Sequence, residues 1–181
     1  MTDSHFNLDA FVQGYMVTVL GTASDESDES GGEPLGQTYD VADFTDEAKA
    51  DMRADCANFV TQHAALLEEA VAQIGYDARA AGGDFWLTRQ GHGVGFSDRA
   101  PLYDERTEDE QGQTLADRLD QAAHAYGEHH GEVMALEDEI HYGTPQFILR
   151  QPREQASDVA AVLDSLAIPV TPARPRSRGL R

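Results

Sequence analysis

The sequence predicts an α+β domain in which a small antiparallel sheet of three to five strands packs against amphipathic helices, one of which is long. Apolar residues recur at helical spacing over about thirty residues after Thr45. Short segments rich in aromatic and β-branched residues, separated by glycine-containing turns, follow near residue 90 and after residue 131. A chain of 181 residues, 40% of them apolar, is long enough for one domain with a core.

The first helix is expected within residues 1–21, because Leu8, Phe11, Val12, Tyr15 and Val19 recur at helical spacing. Asn7 or Asp9 can cap it, and Gly21 is placed to end it. Residues 22–44 follow as an acidic flexible loop with two Asp-Glu-Ser repeats and an extended connector over residues 34–43.

The domain core is expected over residues 45–170, beginning with the long helix. Thr45 followed by Asp46 and Glu47 is a typical helix start. One apolar face then runs through Met52, Cys56, Phe59, Val60, His63, Leu66, Leu67, Val71 and Ile74. Gly82 and Gly83 are expected to break the helical region before the sheet begins.

Residues 84–89 and 94–98 are predicted to pair as a hairpin, because both segments are rich in aromatic or β-branched residues and a glycine-rich turn joins them. After an acidic loop over residues 100–113, Thr114 can cap a helix with Leu115, Leu119, Ala122 and Tyr126 on one face and Gly127 at its end. Residues 132–136, 139–142 and 146–150 are candidate strands that extend the hairpin into one sheet.

The C-terminal part is expected to contain a last helix with Val159, Val162, Leu163 and Leu166 on its apolar face, followed by a basic disordered tail over residues 171–181. Residues 172–181 hold four arginines and no acidic residue. This tail could contact an acidic partner or a nucleic acid.

Charge is the most pronounced compositional feature, with 33 acidic residues, 13 basic residues and a net charge of −20. Non-specific binding of the core to nucleic acid is therefore disfavoured. Lys49 is the only lysine, a composition that suits a salt-adapted host or a GC-rich genome, with a dedicated acidic interaction surface as the alternative. No apolar run spans a bilayer and no signal peptide is evident, so the expected location is the host cytoplasm or a virion, without membrane contact.

The candidate site is the segment over residues 84–99. If the protein is an enzyme, His92 is the general acid or base, with Arg89 and Asp98 beside it. The candidate ligand-binding residues are Trp86, Arg89, Gly91, His92, Gly93 and Arg99. In the alternative interpretation the two glycines only supply positive φ angles, His92 is merely exposed, and Asp98 pairs with an arginine across the strands.

Other candidates are weaker. Cys56 and His63 lie about 10 Å apart along one helix, beyond hydrogen-bond reach, so Cys56 is expected to be a buried core thiol. A single cysteine also excludes an internal disulfide framework. His129 and His130 form a weak metal-site candidate without a defined spacing. No metal, no cofactor and no catalytic signature are predicted, and the protein is expected to be non-enzymatic.

The motif DFWLTR, GHG, GF and DR over residues 84–99 resembles a family of uncharacterised small proteins encoded by tailed phages and related mobile elements. The resemblance covers about residues 45–142 and includes Asp55-Cys56-Ala57-Asn58-Phe59 and Tyr126-Gly127. Ser97 stands where relatives often have tryptophan. The resemblance implies a mobile-element origin and a small α+β fold, and it transfers no activity.

These observations favour a phage or archaeal-virus accessory protein that acts by binding a host or viral protein. A more specific version is an acidic inhibitor of a nucleic-acid-handling host enzyme, because carboxylates on one face can compete with phosphates for a basic cleft. The first alternative is a small-molecule or nucleotide-binding protein, or a hydrolase, that uses the His92 hairpin. The second is a virion component whose arginine tail contacts the packaged genome or an acidic neighbour.

Overall fold

The protein is described from a computed structural model that covers residues 6–24, 32–130, 132–136 and 138–143. Within these ranges the fold is mostly helical with a small antiparallel sheet, broadly α+β. The helices are α1 (Leu8–Thr22), α2 (Asp46–Gln62), α3 (Ala64–Val71), α4 (Ala78–Arg89) and α5 (Leu115–Tyr126), and the strands are β1 (Glu132–Leu136) and β2 (Glu139–Gly143).

The central feature is the close packing of α1 against α4. The first helix is confirmed, with Asn7 accepting a hydrogen bond of 3.0 Å from the Ala10 amide, although it continues past Gly21 to Thr22. A methyl group on Gly82 would lie 1.9 Å from the Phe11 carbonyl oxygen. The prediction that Gly82 and Gly83 break the helical region is therefore wrong: they lie inside α4, where the absence of side chains lets the two backbones approach.

The predicted long helix is divided in two. Its start at Thr45 is confirmed, since the Thr45 hydroxyl accepts a hydrogen bond from the Ala48 amide. His63, with φ −124° and ψ 26°, leaves the helical conformation and separates α2 from α3. Apolar positions continue on both sides of this break, Phe59 before it and Leu67 after it being fully buried. The periodicity in the sequence therefore does not reveal the break.

Aromatic rings form the centre of the core. The rings of Phe59 and Phe85 stack with centroids 3.9 Å apart, and Phe11 and Tyr15 pack against Phe85 at 5.9 and 5.7 Å. Cys56 lies in the same core without exposed surface, which confirms its prediction as a buried thiol. Stacked and tilted ring pairs contribute about 0.5–1.5 kcal/mol each beyond their area burial.

The elements α5, β1 and β2 follow the prediction closely. The Thr114 capping box begins α5, and Gly127 with φ 93° ends it. Strands β1 and β2 pair antiparallel, with Val133 opposite Tyr142, and Asp138 with φ 69° lies in the turn. The Thr45 amide donates to the Ile140 carbonyl at 3.0 Å, which joins this hairpin to the start of α2.

Some expectations are corrected and others lie outside the described residues. The connector over residues 34–43 is not extended, because Leu35–Gln37 and Val41–Asp43 form single 3₁₀ turns. The predicted strand over residues 146–150, the last helix, the arginine tail and most of the acidic loop lie outside the described ranges. In the described part of the chain, no helix combines the length and apolarity that crossing a membrane requires.

Candidate functional site

The segment over residues 84–99 is a helix followed by a loop that folds back along it, so the predicted hairpin is wrong. Residues 84–89 form the second half of α4, and Phe96–Asp98 forms a 3₁₀ turn. The Thr88 hydroxyl accepts a hydrogen bond of 3.2 Å from the Phe96 amide. Gly95, with φ 137°, lets the loop pass Thr88, whose hydroxyl would lie 2.3 Å from an added methyl group. Aromatic residues are accommodated in α4 because other core residues pack against several sides of this helix.

Asp84 and Arg99, the two ends of the motif, form an ion pair. Asp84 has no exposed surface, and its carboxylate accepts hydrogen bonds from the Arg99 Nε at 2.8 Å and from the Tyr76 hydroxyl at 2.9 Å. Burial, and then the charge of Asp84, raises the pKa of Tyr76 far above its usual value, so this hydroxyl stays protonated as a donor. Arg99 therefore anchors the returning loop to α4.

Arg89 lies at the centre of a second buried cluster. Its Nη1 donates to the Asp55 Oδ2 at 2.9 Å and to the Tyr15 hydroxyl at 3.0 Å, and its Nε donates to the Gly127 carbonyl at 2.9 Å. The guanidinium carbon lies 4.9 Å from the Tyr126 ring centroid. With only 5% of its surface exposed, Arg89 joins helices and the chain after α5 rather than facing solvent.

Two further hydrogen bonds extend this cluster. The hydroxyls of Tyr15 and Tyr142 lie 2.8 Å apart, and the Tyr126 hydroxyl donates to the Asp55 Oδ1 at 3.2 Å. Burial raises the pKa of Tyr15 and of Tyr142 well above their ordinary values, which keeps both hydroxyls neutral. The cluster thus connects α1, α2, α4, α5 and β2 through paired polar groups.

His129 packs on the edge of this cluster. Its ring stacks on Tyr142 with centroids 3.9 Å apart, and its backbone exchanges two hydrogen bonds with the Gln90 side chain. The Nε2 atom is buried without a hydrogen-bond partner among the described residues. Burial, reinforced by the positive charge of Arg89, lowers the pKa of His129 to about 4. The imidazole is therefore neutral near pH 7.

The remaining candidates from the sequence do not form one site. The Trp86 ring is buried, and its Nε1 donates to the Thr22 hydroxyl at 2.8 Å. Gly91 and Gly93 adopt positive φ angles of 66° and 73°, and His92 between them is exposed. Asp98 is exposed too, and Arg99 pairs with Asp84 rather than with Asp98. The candidate set is thus divided between two buried polar groups and an exposed loop.

The weaker candidates do not form a site in the described residues either. Burial, and then the charge of Asp55, raises the pKa of the Cys56 thiol well above its usual range, so the thiol stays protonated. His63, partly buried at the break after α2, packs at a tilt against Phe59 with ring centroids 4.8 Å apart. His130 is exposed, and no group of three potential metal ligands occurs in the described part of the chain.

We define the acidic face as the carboxylates of three segments that Arg118 connects, namely Glu68, Glu69, Glu105, Glu108, Asp109, Glu110 and Asp117. Arg118 lies on α5, next to Asp117 in the sequence. Its Nη2 lies 3.3 Å from the Glu69 Oε1 on α3, and its Nε lies 3.9 Å from the Asp109 Oδ2 on the loop after residue 104. Only Asp109 of these carboxylates is partly buried, and the others are exposed. Sequence reasoning missed this face because its parts are about forty residues apart and Arg118 resembles an ordinary surface arginine.

Comparisons with known proteins identify no relative of this chain. The chain matches no protein-family model, no curated protein and no solved structure.

Proposed function

We propose that the protein acts by binding another protein through the acidic face rather than by catalysis. The observation that carries the proposal is that Arg118 of α5 contacts Glu69 of α3 and Asp109 of the loop after residue 104, two segments that carry further exposed carboxylates. Arg118 fixes the positions of these segments while it neutralises only a small part of their charge. The result is a fixed surface with a strong negative potential.

Such a surface suits a basic partner. Clustered carboxylates raise the association rate with positively charged surfaces and align the partner before short-range contacts form. A cleft that binds nucleic-acid phosphates presents arginine and lysine, so carboxylates can occupy it in place of phosphates. We therefore propose a phage or archaeal-virus accessory protein that inhibits a nucleic-acid-handling host enzyme in the host cytoplasm.

Burial of the sequence-predicted candidates supports binding over catalysis. Arg89 and Asp84 are held by internal partners, and His92 stands exposed on the loop that follows α4. A general acid or base needs a neighbouring group that orients it and a substrate position within hydrogen-bond reach. Among the described residues, no side-chain partner of this kind accompanies His92.

The test compares two variants with equal charge change. One replaces Glu68, Glu108 and Glu110 of the acidic face by glutamine, and the other neutralises the exposed Asp51, Glu132 and Glu139 on other elements. Each tagged protein is used to capture partners from a lysate of cells that carry the gene, with detection by mass spectrometry. We expect the acidic-face variant to lose the partner and the control to retain it. Equal retention or equal loss in the two variants would show that the face has no specific role.

A further inference from the structure

A groove between α1 and α4 is lined by both apolar and charged side chains. It has a volume of about 360 Å³ and is open along one side. Gly14 and Gly83 contribute no side chains to its lining, while Val17 and Leu87 contribute apolar ones. Val17 is 41% exposed, which leaves an apolar side chain in contact with water at the groove.

Arg79, which lines this groove, differs from the other described arginines because it forms no ion pair with a described residue. Five arginines of the described chain bind carboxylates, namely Arg53, Arg89, Arg99, Arg106 and Arg118. Arg79 has no carboxylate partner among the described residues, although the chain has 33 acidic residues. The nearby Asp77 also lines the groove, but its Oδ1 accepts the Ala80 amide at the start of α4.

We propose that this groove docks a segment of the partner protein in which an apolar side chain lies next to a carboxylate. The apolar side chain contacts Val17 and Leu87, and the carboxylate binds the Arg79 guanidinium. The inference rests on the proposed function, because it assigns a docking position to the partner that the acidic face attracts. The acidic face determines which proteins approach, and the groove determines how one of them is held.

The shape and the charge of the protein select this occupant. A small-molecule site usually encloses most of its ligand, whereas this groove is widely open to solvent. A second copy of the chain brings another net charge of −20 and is repelled at moderate salt. For the same reason the partner is neutral or basic overall and supplies one local carboxylate to Arg79.

The probe is a short alanine-based helical peptide, otherwise neutral, with one leucine and one glutamate four residues apart. A matched peptide has glutamine in place of the glutamate. Binding to the ¹⁵N-labelled full chain is followed by NMR, and we expect amide shifts at Gly14, Thr18 and Gly83, which line the groove. Since one charge-assisted contact is lost, the glutamine peptide is expected to bind about five- to tenfold more weakly.

Two charge reversals test the assignment to Arg79. Arg79→Glu is expected to weaken binding of the glutamate peptide about five- to tenfold, and the fold should survive because Arg79 is exposed and acidic residues suit the first turn of α4. Arg106→Glu makes the same charge change at an arginine whose side chain is 88% exposed, and it should alter binding less than about twofold. Equal effects of the two variants, shifts outside the groove or no binding would overturn the inference.

The partner experiment separates this inference from the proposed function. If the partner is captured from lysate equally by wild type and Arg79→Glu, the groove assignment fails while the binding function stands. If the peptide binds as expected but no protein is captured, the proposed function fails while the groove stands. Light scattering that shows an Arg79-dependent dimer would instead identify a second copy as the occupant and contradict the commitment to a foreign partner.

Discussion

Replacing Gly82 by alanine is expected to destabilise the protein, because its position lies against the backbone of α1. The added methyl group would lie 1.9 Å from the Phe11 carbonyl oxygen and 2.7 Å from its carbon. Both neighbours are backbone atoms, so relief requires the helices to move apart rather than a side chain to rotate. Overpacking of this kind costs about 1–3 kcal/mol or more.

The expected magnitude follows from two opposing effects. Alanine favours a helix over glycine by about 1 kcal/mol, which offsets part of the steric cost. Separation of α1 from α4 also loosens the ring contacts of Phe11 and Tyr15 with Phe85. We therefore expect Gly82→Ala to lower the free energy of unfolding by about 2–3 kcal/mol.

Gly21→Ala provides the matched control in the same helix pair. Gly21 lies in α1 with no atom within 4 Å of an added methyl group, so the substitution should be neutral or stabilise by up to about 1 kcal/mol. The assay is urea denaturation followed by the fluorescence of Trp86, which is buried in the core. A Gly82→Ala protein as stable as Gly21→Ala would refute the close packing of α1 on α4.

Three further predictions concern the buried polar groups. Arg99→Ala leaves the buried carboxylate of Asp84 without its cationic partner, so we expect a loss of about 3–5 kcal/mol in urea denaturation, against less than about 1 kcal/mol for Arg106→Ala at an exposed pair. The fold lowers the pKa of His129 to about 4, so as the pH falls the unfolded chain binds a proton at His129 before the folded chain does. The free energy of unfolding should therefore be highest above about pH 6.5 and decrease from there towards pH 4. His129→Phe should flatten this dependence. Cys56, fully buried with a raised pKa, should not react with a thiol reagent in the native protein.

Each of these predictions has a clear contrary result. Equal stability of Arg99→Ala and Arg106→Ala would show that Asp84 is accessible to water. An unchanged pH dependence in His129→Phe would assign the acid sensitivity to other groups, and His92→Gln serves as the exposed control. Rapid labelling of Cys56 without unfolding would contradict its position in the core.

The starts of α1, α2 and α5 and the end of α5 could be predicted from the sequence because they depend on local signals. Asn7, Thr45 and Thr114 each accept a backbone amide at a helix start, and Gly127 supplies the positive φ at the end of α5. These interactions involve residues three or four positions apart, which a single sequence displays directly. The turn between β1 and β2 is equally local.

The region around α4 could not be predicted in the same way, because its conformation depends on contacts with residues that are far away in the sequence. Phe85 and Trp86 have the composition of a strand, yet they are helical because α1 and the loop after α4 cover different sides of this helix. A Gly-Gly pair normally indicates a break, and here it marks a helix contact. Only the position of Phe11 in space distinguishes the two meanings.

The polar clusters show the same limit. The sequence singled out Arg89 and Arg99 as candidate ligand-binding residues, and both turn out to have internal carboxylate partners. Asp55 is 34 positions from Arg89, and Tyr142 is 127 positions from Tyr15, so neither pair produces a local pattern. Each of these residues looks like an ordinary position on an amphipathic element until the fold brings the pair together.

The most direct test of the proposed function is the salt dependence of partner affinity, measured by titration calorimetry with wild type and His92→Ala. If the acidic face carries the interaction, affinity falls steeply as salt rises, because screening acts on exposed charges, and His92→Ala binds within about twofold of wild type. If His92→Ala abolishes binding while its circular-dichroism spectrum is intact, and salt has little effect, the interaction belongs to the exposed His92 loop and the proposed function is contradicted.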